Sequence, residues 1–410
     1  MNDLSIYFTP LNEDKVNYHE EQIGQIIISN YGSFPEIESD SIAVFSVPEY
    51  RGDSSHISCE SNSEFRSSFM ALSQSKNWKK KIYDLGTIVP GEQLKDTYFA
   101  ISSVVYELIK NGVVPVMIGG SQDLVLAAYE AYAKLEQLVN ICSIDHSLDI
   151  GAPDVEVGHS AYLTSLLLKR PCYLFNHANI GLQIPYAQPK ELKLVENLFF
   201  DVCRLGEFND DFKRAEPHLR NADIINLDFN SIKASELCSQ NANPNGFQSQ
   251  QICQISRYAG ISDKVNFFGV FNYVDFNKIS DKLLAEILWY FIDGYQSRWG
   301  DFPVSSKAGY YKFNVELENG NHAIIFYKSH KSDRWWMEVP YPPQKGSKYE
   351  RHHLVPCSKE DYDRAMKIYE EVLSSHPNSA DAYHLTGLIF HVRGMHDEAL
   401  SRIEKALQLR

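Results

Sequence analysis

Apolar and β-branched residues run through the chain in short blocks, separated by longer stretches with helical periodicity. The blocks from Val113 to Ile118, Leu138 to Ile144 and Ile224 to Leu227 predict buried strands. The longest predicted helix, Ser280 to Arg298, begins with Ser280 and Asp281, which suit a helix N-terminus. Strands and helices that alternate at this spacing predict a three-layer α/β/α fold with a mostly parallel sheet.

The same periodicities predict the other elements of this sheet and its helical layers. Further strands are expected at Ser41 to Pro48 and Lys264 to Val270. Further helices are expected at Thr97 to Asn111, Asp123 to Leu135, Ala161 to Lys169, Lys190 to Phe200 and Gln250 to Ala259.

Polar segments stand at the ends of the three apolar strands. The first strand runs into Gly119 to Asp123, the second into Asp145 to Asp149, and the third passes into Asn226 to Asn230. Because the carboxyl ends of parallel strands meet at one edge of a sheet, we expect these polar side chains to converge there. The sequence therefore predicts one site with several carboxylates.

In order and spacing, these segments resemble the motifs of the arginase or ureohydrolase family, and specifically its formimidoylglutamase-like members. The resemblance covers roughly residues 40 to 357. It implies an arginase-like fold and a site for two manganese ions that share a hydroxide. On this resemblance Asp145, Asp149 and Asp228 are metal ligands, and Asp145 also takes part in catalysis.

Three ligand positions of that family carry different chemistry in this chain. Gln122 and Ser147 stand where the family has His, and Asn230 stands where it has Asp. A set of carboxylates, amides and a hydroxyl suits Mg²⁺ or Ca²⁺ better than manganese, and it binds more weakly. We therefore expect manganese if the site is functional, and otherwise weak Mg²⁺ or Ca²⁺ binding or no metal. Without a metal, the like charges should raise at least one carboxyl pKa.

Three further side chains are candidates at this site. Gln251 stands where the family has a Glu that grips the substrate, and a neutral amide offers no charge-assisted pair. His159 lies near the family's substrate-side or proton-relay His, although an ordinary loop histidine is an equal alternative. Alternation along an extended strand predicts that His146 points away from the site, so we do not expect it to replace a missing imidazole.

Composition limits the classes of partner and compartment. The 410 residues are 44% hydrophobic, enough for one large core and an appended module. With 39 basic and 53 acidic residues the net charge is −14, which argues against nucleic acid or an anionic membrane as a partner. A start without a signal-like segment and the lack of a long apolar run predict a soluble, cytoplasmic protein.

The C-terminal part of the predicted 1–357 domain has its own pattern. Two apolar segments, Tyr311 to Leu317 and His322 to Tyr327, flank an Asn-Gly pair and predict a hairpin. Trp335 and Trp336 follow it. They form either a binding platform, which requires that one of them be exposed, or a packed cap, which requires that both be buried.

Residues 358–410 follow a different repeat. Small and apolar positions recur 34 residues apart, at Ala365, Tyr369 and Val372 and again at Ala399, Ile403 and Ala406. The segment resembles one and a half tetratricopeptide repeats, which implies that it recruits a protein partner; an ordinary helical hairpin is the alternative. Such repeats bury their faces only by stacking, so this segment must dock elsewhere or pair with another chain.

Three functions agree with these observations. The leading hypothesis is a degenerate ureohydrolase-fold pseudoenzyme that acts as a binding or scaffold module. The alternative is an active metal-dependent hydrolase of a linear amidine or guanidine C–N bond, such as that of formimidoylglutamate. A third is a sensor that binds an amidine or an amino-acid-like ligand without turnover. The family resemblance also implies a homo-oligomer.

Overall fold

The computed structural model describes residues 4–12, 17–53, 64–151, 158–239, 242–273, 277–303, 309–316, 323–339, 353–365, 367, 400–401 and 404–405. Two compact units are present, Met1–Arg298 and Trp299–Arg410. Among the described helices, none combines the length and the apolar character that crossing a bilayer requires.

The first unit is built on one sheet. Its strands are β1 (Phe8–Thr9), β2 (Ile28–Ser29), β3 (Ser41–Val47), β4 (Ile82–Ile88), β5 (Val113–Gly119), β6 (Val139–Ile144), β7 (Leu174–Leu182), β8 (Asp201–Arg204), β9 (Ile224–Asp228) and β10 (Phe267–Phe271). Its helices are α1 (Ile23–Ile26), α2 (Phe65–Met70), α3 (Leu94–Lys110), α4 (Val125–Lys134), α5 (Tyr162–Leu168), α6 (Pro189–Asn197), α7 (Leu205–Asp210), α8 (Glu216–Asn221), α9 (Ala234–Leu237), α10 (Ser249–Ile261) and α11 (Lys278–Gln296).

The strand order is β1-β4-β3-β5-β10-β9-β6-β7-β8, and β2 pairs with β4 outside this path. Apart from β1, which is antiparallel to β4, the described neighbours are parallel. The predicted α/β fold with a mostly parallel sheet is confirmed. The strand order brings β5, β10, β9 and β6 together, so polar residues far apart in sequence can meet at their ends.

Helices cover both faces of this sheet because its central strands are apolar on both sides. On β5, Val114, Val116 and Ile118 belong to the core with α10 and α11, whereas Val113 and Met117 belong to the core with α3 and α4. Successive side chains of a strand point to opposite faces, so an uninterrupted apolar run needs a helical layer on each side.

Five strands of the sheet were not predicted. β1 and β2 span two residues each, whereas β4, β7 and β8 are longer. Polar residues interrupt their apolar runs, and inside the structure these residues have partners. Asp84 on β4 accepts a 2.9 Å hydrogen bond from Arg66, and His177 on β7 lies 3.0 Å from the hydroxyl of Ser143. Buried polar groups with partners are compatible with a strand, but they hide its hydrophobic pattern.

The second unit contains an antiparallel sheet of β11 (Tyr310–Glu316), β12 (Ala323–Ser329), β13 (Trp335–Glu338) and β14 (Leu354–Cys357). The predicted hairpin is present as β11 and β12, which pair antiparallel. Trp335 and Trp336 are 9% and 1% exposed, so the hypothesis of a binding platform is wrong. Trp335 instead stacks on Tyr362, with 5.0 Å between ring centroids.

Most of residues 358–410 lie outside the described part of the chain. Residues 359–365 are helical, and Ser358 caps them, because its hydroxyl oxygen accepts the backbone N–H of Asp361 at 3.1 Å. The tetratricopeptide-like repeat and the domain boundary at 357/358 stay predictions.

The close approach of Gly120 to the neighbouring loop yields a test of the scaffold. A Cβ on Gly120 would lie 1.7 Å from the backbone oxygen of Glu49, which also accepts the N–H of Ser121 at 2.9 Å. We expect Gly120→Ala to lower the free energy of unfolding by roughly 3 kcal/mol, because backbone must move. Urea unfolding measures this loss.

The matched control is Gly206→Ala on α7, where an added Cβ meets nothing within 4 Å. It should be neutral or stabilising by up to about 1 kcal/mol, since alanine favours helix. Equal effects of the two substitutions would contradict the close contact at Gly120.

Candidate functional site

Four buried polar side chains meet at the carboxyl edge of the sheet. Gln122 follows β5, Asp145 follows β6, Asp228 ends β9 and Asn272 follows β10. Their exposed fractions are 2%, 0%, 2% and 6%. Since these strands are neighbours and parallel, their ends place all four residues in one cluster.

Asp145 accepts hydrogen bonds on both carboxylate oxygens. Gln122 donates its side-chain amide to Oδ2 at 2.6 Å. Ser147 donates its backbone N–H to Oδ1 at 2.9 Å, and its hydroxyl lies 3.1 Å from the same oxygen. These contacts stabilise the ionised form of Asp145.

Asn272 forms a hydrogen bond with the second carboxylate of the cluster, that of Asp228. Its amide donates to Asp228 Oδ1 at 2.8 Å, and its carbonyl oxygen accepts the backbone N–H of Gln122 at 3.2 Å. Asn272 has a φ of 56°, a left-handed conformation that asparagine tolerates better than most residues. The residue therefore ties the ends of β5 and β9 together across β10.

His146 lies between the two carboxylates. Its Nδ1 is 3.3 Å from Asp145 Oδ1 and 3.5 Å from Asp228 Oδ2, which are ion-pair distances. The N–H is not aligned for a hydrogen bond with either oxygen. The prediction that His146 points away from the site is wrong. Because β6 ends at Ile144, the alternation of an extended strand does not reach His146.

Asp149 completes the group of acids through Ser147. The Ser147 hydroxyl lies 2.8 Å from Asp149 Oδ1, while Asp149 Oδ2 is buried without a hydrogen-bond partner among the described residues. The backbone of Asp149 has a φ of 51°, so the chain turns sharply there. A hydroxyl donates one proton, so Ser147 satisfies Asp145 and Asp149 together only if Asp149 carries a proton of its own.

Burial and mutual charge separate the pKa values of these groups. Burial and the charges of Asp145 and Asp228 raise the pKa of Asp149 well above its usual value. Burial also raises the pKa of Asp228, with Asp145 adding to the effect and His146 opposing it. For Asp145, burial is outweighed by His146 and by hydrogen bonds, which lower its pKa. The predicted rise of at least one carboxyl pKa is found.

Neighbouring carboxylates also raise the pKa of His146, so its imidazole is protonated. Burial alone lowers the pKa of His146, but Asp145 and Asp228 oppose this and raise it to about 11. At neutral pH His146 is thus an imidazolium, and it lies beside the ionised Asp145. A buried set of charges is tolerated when it is paired in this way.

Comparison with solved structures shows which fold this is. The formimidoylglutamase of Bacillus subtilis is 14% identical with a TM-score of 0.59 and covers 70% of this chain and 97% of its own. The formiminoglutamase of Trypanosoma cruzi with Mn²⁺ is 17% identical with a TM-score of 0.55 and covers 63% and 94%. The agmatine ureohydrolase of Thermoplasma volcanium is 16% identical with a TM-score of 0.50 and covers 68% and 96%.

The chain has the arginase-type fold. No family model matches it, and no curated protein matches its sequence. The likeness to the solved structures therefore concerns the fold, and the chemistry must be argued from the residues of this chain.

Of the three residues predicted to replace metal ligands, two contact the acids through their side chains. The Gln122 amide donates to Asp145, and the Ser147 hydroxyl links Asp145 to Asp149. Asn230 gives its backbone N–H to Asp228 Oδ1 at 3.0 Å. The ligand roles predicted for Asp145, Asp149 and Asp228 stay predictions.

Gln251 is used in another way. Its side-chain oxygen accepts the N–H of Gln248 at 2.9 Å and so caps α10, and its amide donates to Asn209 at 2.8 Å. Both contacts lie on the helix and its neighbour, so the predicted role in substrate binding stays a prediction. His159 begins a short turn, His159–Ala161, and its side chain lies outside the described part of the structure.

Sequence reasoning missed Asn272 and a buried network beneath the acids. Asn272 was recognisable, since it is the polar residue directly after the apolar strand ending near Val270. In the network, the Ser143 hydroxyl contacts Tyr162 at 2.9 Å and His177 at 3.0 Å, and Asn226 donates to Tyr162 at 2.9 Å. Its members come from four separate elements, which no local pattern brings together.

The donor set fits one divalent cation better than two. Ligand atoms of Asp145, His146 and Asp228 lie within 4.8 Å of one another, and Asp149, whose Oδ2 is buried without a hydrogen-bond partner among the described residues, is not part of this group. The Gln122 amide supplies no further ligand atom in this arrangement, because its N–H group donates a hydrogen bond to Asp145. One imidazole and two carboxylates are fewer donors than a pair of ions needs.

The capping role of Gln251 can be separated from a binding role. We expect Gln251→Ala to lower the free energy of unfolding by about 1 kcal/mol, because α10 loses part of its capping box. The exposed neighbour Gln250 is the control, and Gln250→Ala should be neutral. Chemical denaturation measures both, and equal values would contradict the capping role.

His177 should make the unfolding free energy depend on pH. Burial lowers the pKa of His177 from 6.5 to about 4. The fold accommodates the neutral imidazole of His177, so its full contribution to the free energy of unfolding is present above pH 6.5. As the pH falls towards 4, this contribution of about 3 kcal/mol is lost. We expect His177→Gln to flatten the unfolding free energy in this window.

The wild type, measured at the same pH values, provides the comparison. Denaturant unfolding at several pH values measures the slopes. The same slope in the wild type and in His177→Gln would show that His177 does not titrate with unfolding.

Proposed function

We propose that this chain is a formimidoylglutamase-like protein whose two-manganese site is degenerate, and that it works as a binding or scaffold module. The arginase-type fold supports the relationship, and the changed residues Gln122, Ser147 and Asn230 support the loss of chemistry. The observation that carries the proposal is the position of His146, within 3.3 Å of Asp145 and 3.5 Å of Asp228.

A pair of manganese ions in such a fold compensates the charge of buried carboxylates and activates water. In this chain the His146 side chain lies between Asp145 and Asp228 and compensates their negative charge. The amide of Gln122 occupies the second oxygen of Asp145 as a hydrogen-bond donor. Groups that already satisfy the carboxylates compete with a cation for the same lone pairs.

A retained ligand would be a small amidine or an amino-acid-like molecule. Asp149 Oδ2 is buried and has no hydrogen-bond partner among the described residues. Once Asp149 gives up its own proton, this oxygen can accept a charge-assisted hydrogen bond from an amidinium or ammonium group. Gln251 can add a neutral hydrogen bond only if it leaves the cap of α10.

The second candidate is a hydrolase of a linear amidine, such as formimidoylglutamate, that uses one metal ion. It is favoured by the convergence of Asp145, His146 and Asp228 within 4.8 Å. These residues and Asp149 would hold manganese, or more weakly Mg²⁺ or Ca²⁺, and the metal would supply an acidified water. His159 is then the candidate for moving a proton. Binding would require His146 to give up its proton.

We propose further that residues 358–410 form a tetratricopeptide-like segment that recruits a protein partner. One and a half repeats leave an apolar face that must be covered by another chain or another part of this one. A homo-oligomer is the second way to cover it.

Metal content distinguishes the two candidates. After growth with manganese and exhaustive desalting, we expect far less than one manganese per chain and no hydrolysis of formimidoylglutamate. The variant Gln122→His/Ser147→His/Asn230→Asp should retain more manganese than the wild type, because two imidazoles and a carboxylate are added to the site. Elemental analysis and an ammonia- or formamide-release assay measure both properties.

Close to two manganese per chain with robust hydrolysis would refute the binding-module proposal. About one metal per chain, with hydrolysis that is lost in Asp228→Asn and in the presence of a chelator, would support the single-metal hydrolase. Thermal unfolding of each variant controls for misfolding.

A further inference from the structure

A separate pocket opens at the same edge of the sheet, on the other side of β5. It has a volume of about 250 Å³ and lies between the ends of β3, β4 and β5 and residues 10–12. Its polar lining residues are Asn12, Ser46, Tyr50, Arg66, Thr87 and Tyr273. None of them is a member of the carboxylate cluster, so the pocket does not depend on the chemistry proposed there.

Arg66 is the charged group of this pocket, and it is held in a fixed position. Its Nε donates to Asp84 at 2.9 Å, and its Nη2 donates to the Ser46 hydroxyl at 3.1 Å and to the Gly86 carbonyl at 2.9 Å. The side chain is 21% exposed. Within the described part of the chain, Nη1 has no acceptor. A guanidinium fixed by three bonds loses little freedom when a ligand occupies its remaining nitrogen.

The other walls combine hydroxyls with aromatic rings. The hydroxyls of Ser46 and Thr87 lie 2.8 Å apart. The Phe65 ring lies 4.8 Å from the Arg66 guanidinium carbon. Tyr50 donates its hydroxyl to the backbone oxygen of Tyr273 at 3.0 Å and so braces the wall nearest the carboxylate cluster. A flat apolar group can pack against such a wall while a polar end reaches the guanidinium.

We infer that this pocket binds a small carboxylic acid, with its carboxylate on Arg66 and the Thr87 hydroxyl and its apolar body against Phe65 and Tyr50. A carboxylate forms a charge-assisted hydrogen bond with the free guanidinium nitrogen. Asp84 already balances part of the positive charge, which favours a monoanion over a phosphate dianion. Since a cavity of about 150 Å³ holds benzene, a pocket of this size holds roughly ten non-hydrogen atoms.

Phenylacetate matches this size and charge, and phenylacetamide is its neutral counterpart. In calorimetric titrations of the full chain we expect saturable binding of phenylacetate and about tenfold weaker binding of phenylacetamide. Arg66→Gln should weaken phenylacetate about tenfold and leave phenylacetamide unchanged. Arg364→Gln, at an exposed site in the second unit, is the matched control and should bind like the wild type.

Two further measurements cover loss of folding in Arg66→Gln. Thr87→Val keeps the guanidinium and its ion pair, and it should weaken phenylacetate several-fold. A crystal of the wild-type protein with 4-bromophenylacetate should place the anomalous bromine signal in the pocket, with the carboxylate on Arg66. No binding of phenylacetate to the wild type, equal affinity for acid and amide, or bromine only elsewhere would each overturn the inference.

Discussion

The arrangement of the site depends on the cost of removing carboxylates from water. Asp145, Asp149 and Asp228 stand together at the inner edge of the sheet, where ionised groups are tolerated only with a compensating charge or hydrogen bonds. Every neighbour with a described contact meets this need. For Asp145 and Asp228, His146 supplies positive charge, Gln122 and Asn272 supply amide protons, and the backbone N–H groups of Ser147 and Asn230 add hydrogen bonds.

This constraint explains why the changed residues are compatible with the arginase-type fold. An imidazole that binds a metal uses a lone pair, whereas an amide that faces a carboxylate uses a proton. Gln122 uses its amide proton toward Asp145, which is the opposite direction from the lone pair that a metal ligand offers. Ser147 does the same by linking two acids. The scaffold is preserved because the cost of the buried acids is met in another way.

Much of the fold and part of the site could be predicted from the sequence. Mainly apolar runs predicted β3, β5, β6, β9 and β10, since strands covered by helices on both faces carry few polar side chains. Strands β4 and β7 were not predicted because the buried polar residues Asp84 and His177 interrupt their apolar patterns. The hydrogen-bond partners of these two residues lie far away in sequence. His146 was placed wrongly because the rule of alternation holds only while the strand lasts. The geometry after Ile144 depends on Asp149, whose left-handed backbone no local pattern specified.

The close contact between Gly120 and the backbone oxygen of Glu49 limits what a glycine motif indicates about function. Position 120 requires glycine because two loops approach each other closely there. This steric requirement does not depend on a nearby cation. A search for paired glycines after a buried strand therefore identifies proteins that share this fold, whatever their activity. The chemistry depends instead on the side chains that follow, among them Gln122, whose amide donates a hydrogen bond to Asp145.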